Sequence, residues 1–557
     1  MSPARLAVCD TASGLRARLV AFGLALALGA VAVKGGALAM SSPGEGTGVA
    51  DVFAEREVRA DIIDRNGELL ATSVDVYSLF ADPRAIWDPE EVARELAALF
   101  DDIDEEALAG RLANRDRAFV WVRRGLTPRQ RQAVFELGLE GLGFRRESRR
   151  AYPRGTLAGH VLGFAGIDGQ GLAGIEFALD DRLAGGDAPL QLTLHSGVQF
   201  ALEAELSAAA AIHDVDGAAG VVIEARSGEL FALASWPPIN PNRAAGLPAS
   251  DPARLNRAAG AVYELGSVYK PLTVAAALEA GVLHPDDRFD LTKPLEIAGK
   301  LIEDHHVAYE PADAADIVAE SSNVGTVRIA MLTGSRRQQA FYGELGLLSR
   351  APVELASSAS PILPENWDEL TSATASYGHG IAVSPLAFAS AFSALANDGE
   401  IVPPTLLKTA PDGARERRPR RVMAAPTARL VTAMLREAVT RGTGTRAEIA
   451  GYRIAGKTGT AEKPVAGGYA DDENITAFAA VFPADRPEYA VLIVLDNPKA
   501  HEADGVMVGG AAAFNAAPTA GRVIERIAPL LGVKPRFGDD RPRDLPIRSV
   551  SETRSNL

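Results

Sequence analysis

The stretch Tyr263-Glu264-Leu265-Gly266-Ser267-Val268-Tyr269-Lys270-Pro271 places a serine hydroxyl and a lysine amine three positions apart, at the head of an apolar run that closes at Gly281. A serine attacks acyl carbon once a base takes its proton, and a lysine one turn away serves if its pKa is brought down. Burial and a neighbouring cation do that, and holding the amine neutral near pH 7 costs about 4 kcal/mol at roughly 1.4 kcal/mol per pKa unit. Leu272, Val274, Ala275, Ala276, Ala277 and Leu278 have the composition of a buried helix, which Gly281 would end. Pro271 is tolerated only in a first turn, so the helix is predicted to open near Ser267, with Ser267 and Lys270 on one face at the positive end of its dipole. A serine that merely caps a helix carrying a chance lysine gives the same spacing. Ser267 to Lys270 is, however, the only Ser-x-x-Lys in the chain.

Two further motifs follow, Ser321-Ser322-Asn323 and Lys457-Thr458-Gly459-Thr460. Ser-x-Asn alone usually marks a turn or a helix cap. The lysine triplet is rarer, and its glycine would let a substrate lie against the strand backbone. Strand-like runs flank the three motifs: Gly217 to Ala225 and Glu229 to Ser235 joined across Arg226-Ser227-Gly228, then Ile475 to Phe482 and Tyr489 to Leu495. A short strand at Leu192 to Leu194 and helices over Ser196–Ala211, Pro385–Asn397 and Ala425–Thr440 complete the pattern. Strands at both ends enclosing helices predict an α+β layering with a sheet assembled from distant parts of the chain.

The remaining composition sets limits. At 557 residues, 47% hydrophobic and 23% charged, the chain is globular with two or three domains, and its net charge of −15 argues against nucleic acid as a partner. The basic run Arg415 to Arg421 reads as a solvated loop. Cys9 is the only cysteine, so no intrachain disulfide forms; neither Cys nor His has metal-ligand spacing, and the adjacent His305 and His306 and the glycine-flanked His379 are given no metal or other cofactor to hold. Leu19 to Met40 is long enough for a bilayer, with Arg5, Arg16 and Arg18 before it and acidic residues after it. That places the N-terminus in the cytoplasm and the body of the chain outside. Ala37-Leu38-Ala39 also suits signal-peptide cleavage, and either reading exports the remainder. Asn66-Gly67 predicts a hairpin after Arg59 to Asp64, Pro89 to Leu112 reads as helix, and the region to Pro189 has no chemical constellation of its own. The expected division is a cytoplasmic 1–18, an anchor 19–40, an N-terminal module 41–189, a catalytic domain 190–533 and a disordered tail 534–557.

Together and in this order, the three motifs resemble the active site of the penicilloyl-serine transferases. The Arg59 to Gly67 segment, Asn256-Arg257-Ala258, Tyr263 to Pro271, Ser376 to Leu386 and Ala516-Ala517-Pro518 resemble class B penicillin-binding proteins, above all the septal FtsI type. Ala60 and Leu265 stand where that family commonly has Gly and Pro. The resemblance implies a β-lactamase-like transpeptidase domain, an antiparallel sheet flanked by helices, set behind a single transmembrane helix and an elongated pedestal of the dimerisation type. It implies Ser267 as nucleophile, Lys270 as its base, Ser321 as proton relay helped by the field of Lys457, and Asn323 as the group that holds the substrate amide. In the substrate-binding run Thr458, Gly459 and Thr460, the two threonine hydroxyls beside Lys457 would bind the terminal carboxylate, and the backbone N–H groups of Ser267 and Thr460 would form the oxyanion hole. The implied activity is a D,D-transpeptidase that cross-links peptidoglycan stem peptides through an acyl-serine and is blocked by β-lactams. The implied partners are an FtsW-type membrane glycosyltransferase and other divisome proteins at the inner membrane. An elongation-specific transpeptidase, a serine β-lactamase and a non-catalytic penicillin sensor are the alternatives.

Overall fold

The computed structural model describes residues 59–538 except 187, 305–310, 409–417, 466 and 504–505. The expected anchor, the His305-His306 pair, Arg415 to Arg417 of the basic run and most of the tail lie outside these residues. Among the described residues no helix is long and apolar enough to cross a membrane.

The first sheet is built from β1 (Ile62–Ile63), β2 (Leu69–Ala81), β3 (Val120–Leu126), β4 (Leu142–Ala151) and β5 (Leu190–Gln191). The Asn66-Gly67 hairpin forms as expected, with Gly67 at φ +87°, a conformation that glycine adopts without a Cβ penalty. The expected helix over Pro89 to Leu112 is two helices, Pro89–Leu99 and Glu105–Leu112, because Asp88 and Asp104 each cap a separate N-terminus. Val92 and Leu96 of the first and Leu108 and Leu112 of the second share one buried core with Leu79 and Ala81 of β2. β5 pairs in parallel with β1, so the first sheet runs across the position where composition alone suggested a break. The expected strand at Leu192 to Leu194 is thus displaced towards Leu190, with Leu192 left in a single bridge to Leu407.

Beside this sheet a buried carboxylate holds two arginines. Glu176 is fully buried and accepts from Arg59 Nε at 2.5 Å and Arg150 Nε at 2.6 Å, while Arg59 also reaches Asp180 at 2.6 Å. Removing the shared carboxylate leaves one guanidinium with no neutralising partner inside the fold. Glu176→Ala is accordingly expected to destabilise the protein by about 3–5 kcal/mol, read as an earlier urea midpoint, with Glu176→Asp intermediate.

The second sheet carries the chemistry. Its five antiparallel strands run in the order β12 (Ala455–Val465), β13 (Gly468–Phe482), β14 (Tyr489–Asp496), β6 (Gly217–Glu224) and β7 (Leu230–Trp236). Small antiparallel pairs β8 (Leu295–Ile297) with β9 (Lys300–Ile302), β10 (Glu400–Ile401) with β11 (Arg420–Arg421), and β15 (His501–Ala503) with β16 (Val506–Val508) lie apart from it. Successive side chains alternate between two cores. Val221, Ile223, Leu492 and Val494 join Leu272, Phe388 and Val431 on one face, whereas Val222, Val491 and Ile493 join Leu202, Leu206, Val523 and Ile524 on the other. Burial of both faces explains why β6 and β14 read as continuous apolar runs. The helices 196–213, 385–393 and 425–440 fall close to their expected positions.

Candidate active site

Pro271 shapes the nucleophile segment. It has no N–H to donate to the carbonyl of Ser267, so that carbonyl takes the N–H of Lys270 instead, and Gly266–Tyr269 forms a single 3-10 turn before the α-helix Lys270–Glu279. The expected helix therefore begins as a tighter turn, while Gly281, at φ +65°, sits just beyond its end as expected. Every residue from Tyr263 to Ala277 is buried except Ser267, which is half-buried, so this hydroxyl is where the segment meets solvent. Gly266 adopts φ +63°, and a Cβ there would lie 2.8 Å from the Thr460 carbonyl oxygen, so strand and turn touch through backbone.

Lys270 is fully buried beneath this turn. Its amine donates to the Ser321 carbonyl, to Ser321 Oγ at 3.1 Å and to Asn323 Oδ1 at 2.8 Å. Burial drives its pKa well below the ordinary lysine value, repulsion from Lys457 adds to this, and Asp304 opposes it. Ser321 ends the helix Ala314–Glu320 at φ +64°, and Ser322 caps the next helix, Asn323–Thr333. The turn-and-cap reading of Ser-x-Asn is realised, and it coexists with the contacts of Ser321 and Asn323 to Lys270. The cap is how the backbone delivers Ser321 and Asn323 to one amine.

Sequence reasoning missed Asp304. Its carboxylate accepts from Ser322 Oγ at 2.6 Å and from the backbone N–H groups of Asn323 and Val324, the latter at 3.1 Å, while Asn323 Nδ2 donates to the Glu303 carbonyl at 3.2 Å. An acid at a helix N-terminus is a recognisable arrangement, but no local sequence pattern joins position 304 to a helix that starts at 323.

The third motif lies on β12, the edge strand, whose outer side runs past the Ser267 turn. Gly459 packs against that turn so closely that a Cβ would fall 2.2 Å from the Leu265 carbonyl oxygen. The glycine thus admits the chain's own turn against the strand, an approach the sequence had suggested only for a substrate. Lys457 is fully buried; its amine lies 3.1 Å from the Thr458 carbonyl and 3.3 Å from both Thr458 Oγ1 and Thr443 Oγ1, and burial lowers its pKa to about 7, with Glu320 opposing. Its hydrogen bonds thus run to threonine oxygens, and Ser321 bonds to the other lysine. Thr460 Oγ1 accepts from the Ala512 N–H at 3.1 Å. His379, expected to be bland, stacks on Tyr469 at 4.5 Å with Nδ1 3.4 Å from Glu264 Oε2, and burial lowers its pKa to about 4. Among the described residues no group of His, Cys, Asp and Glu is arranged to hold a metal ion.

The geometry is that of a half-buried serine one 3-10 turn before a buried lysine whose pKa is lowered, a second hydroxyl on that lysine's amine, and a second buried amine among hydroxyls. It suits acyl transfer to and from serine. The penicillin-binding protein transpeptidase domain model matches residues 218–517, and the penicillin-binding protein dimerisation domain model matches 57–197. The chain is 41% identical over 508 residues to the probable peptidoglycan D,D-transpeptidase FtsI of Caulobacter vibrioides, covering 89% of this chain and 84% of that protein. It is 30% identical over 511 residues to the peptidoglycan D,D-transpeptidase FtsI of Escherichia coli K12, covering 86% and 84%. Among solved structures, penicillin-binding protein 3 of Mycobacterium tuberculosis in complex with aztreonam superposes with a TM-score of 0.67 at 28% identity, covering 86% of this chain and 98% of that one.

Proposed function

From the premise that the chain belongs to the class B penicillin-binding proteins, with a dimerisation module and a transpeptidase domain, we propose how it works as a peptidoglycan D,D-transpeptidase and where. The observation that carries the mechanism is the convergence of two distant motifs on the Lys270 amine, which reaches Ser321 and Asn323 from the helix that Ser267 precedes.

The neutral Lys270 amine takes the Ser267 proton as Oγ attacks the carbonyl between the last two D-alanines of a donor stem peptide. The tetrahedral oxyanion is held by the backbone N–H groups of Ser267 and Thr460, each worth about 3 kcal/mol in comparable acyl-transfer sites. The proton passes through Ser321 to the departing amine, the C–N bond breaks, and D-alanine leaves an acyl-serine. An amine of a second stem peptide then attacks the ester, gives its proton back along the same path, and restores Ser267 as the cross-link forms. Asn323 orients Lys270 and the substrate amide. Lys457, Thr458 and Thr460 recognise the terminal carboxylate, the role for which the threonine-directed bonds of Lys457 argue. Gly459 lets the edge strand close on the Ser267 turn, which sets the nucleophile beside the strand that carries Lys457. A β-lactam presents the same carbonyl and carboxylate but keeps its leaving amine tethered, so its acyl-serine persists.

The septal role, an anchor at Leu19 to Met40 in the inner membrane with the catalytic domain in the periplasm, and a contact of the N-terminal module with an FtsW-type glycosyltransferase and other divisome proteins belong to the same proposal. The likeness to two FtsI proteins and the apolar segment between basic and acidic flanks support it. Intact-protein mass spectrometry after benzylpenicillin should show one added penicilloyl group on the wild type and none on Ser267→Ala. An unmodified wild type would remove the catalytic reading. A fluorescent fusion confined to the side wall would remove the septal one.

A further inference from the structure

Outside the three motifs, the loop Gly442-Thr443-Gly444 meets two of them. The Thr443 N–H donates to the Ala319 carbonyl at 3.1 Å, two residues before Ser321, and a Cβ on Gly442 would fall 2.2 Å from that same oxygen. On its other side Thr443 Oγ1 lies 2.7 Å from Thr458 Oγ1 and 3.3 Å from Lys457 Nζ. The loop therefore fastens the Ser321 turn to the edge strand that carries Lys457.

Hydrogen counting gives the threonine a task. In the charged form that an incoming carboxylate favours, Lys457 has three hydrogens and meets three acceptors, namely Thr443 Oγ1, Thr458 Oγ1 and the Thr458 carbonyl. The two hydroxyls share one hydrogen between them. Two hydroxyls carry two hydrogens, so one O–H is left with no protein acceptor among the described residues. A spare O–H held against a buried cation fits an anionic acceptor.

We infer that Thr443 is a positioning residue for carboxylate recognition: by donating to Thr458 Oγ1 and accepting from Lys457, it turns the Thr458 O–H outward to the terminal carboxylate of the donor peptide or of a β-lactam. The inference rests on the transpeptidase reading and adds to it a residue that specifies the charged end of the substrate. With valine at this position, Lys457 lacks one acceptor and the Thr458 hydroxyl turns back to the lysine or to water. The charged groups that Lys457 faces from the neighbouring elements, Glu320 and Lys270, are unchanged by the substitution.

The test compares second-order acylation rates with benzylpenicillin and with its methyl ester, which keeps the reacting ring and lacks the carboxylate charge. Thr443→Val is expected to lose about tenfold or more on the free acid and less than about twofold on the ester, as the loss of a hydrogen bond to a charged group would give. Thr443→Ser, which keeps the hydroxyl, should restore the free-acid rate. Equal losses on both substrates, no loss on either, or failure of serine to restore the rate would each overturn the inference. Should the valine variant fold poorly, as judged by thermal melting, Thr443→Ala carries the same acid-to-ester comparison. A wild type that penicillin does not label at Ser267 would instead count against the transpeptidase reading itself, so the two failures are separable.

Discussion

Lys270→Met should give a folded protein that penicillin acylates about a thousandfold more slowly or worse, in the range lost when a positioned general base is removed. Methionine follows much the same path through the core as the lysine stem, so packing changes little. The substitution deletes a donor for the Ser321 carbonyl, Ser321 Oγ and Asn323 Oδ1, at about 1–3 kcal/mol for each oxygen left without a partner. It also removes an amine whose charged form burial opposes. The two effects oppose each other, so a melting temperature near that of the wild type is expected alongside the lost acylation. Penicilloyl formation followed by mass spectrometry from seconds to hours measures the rate. A variant labelled at the wild-type rate would move the base away from position 270.

Stability should rise as the pH is raised from 7 to about 9.5, and Lys457 should carry much of that rise. The sign follows from proton uptake. Lys457 in the fold has its pKa lowered from 10.5 to about 7 by burial, so through this window the unfolded chain binds a proton that the folded chain does not. Stability increases with pH wherever the unfolded state holds more protons, here by about 1 kcal/mol per pH unit for this one group. Below pH 7 both states are protonated and the full cost of burying the ammonium is in force. Lys270 shifts in the same direction. Glu203, raised to about 7 by burial, titrates below the window and Tyr263, raised by burial, above it, so neither reverses the slope. Urea unfolding at several pH values should show the rise, and Lys457→Met should flatten it while losing acylation of carboxylate-bearing substrates. A variant with the same slope as the wild type would remove Lys457 as its source.

The residues proposed to bear the chemistry were legible because each motif is local: Ser267 with Lys270, Ser321 with Asn323, and Lys457 through Thr460 are short runs whose spacing has a physical meaning. Asp304 and Thr443 were not, because each acts across the fold on a backbone or side chain that no nearby residue announces. The sheet strands β6, β7 and β14 were legible from unbroken apolar runs, and the hairpin at Asn66-Gly67 from its turn chemistry. The single helix expected over Pro89 to Leu112 failed where Asp104 could serve either as a surface acid within a helix or as a second cap, and only packing chose between them. The pairing of β5 with β1 was hidden for a different reason: a two-residue strand has too little pattern to reveal so distant a partner.

The missing hydrogen on Pro271 has an angular consequence. Successive residues advance by about 120° in a 3-10 turn and by about 100° in an α-helix, so three steps bring Lys270 round to the azimuth of Ser267 in the first case and leave it about 60° away in the second. A ring next to Lys270 thereby sets the azimuth of that lysine relative to a hydroxyl four positions earlier in the chain.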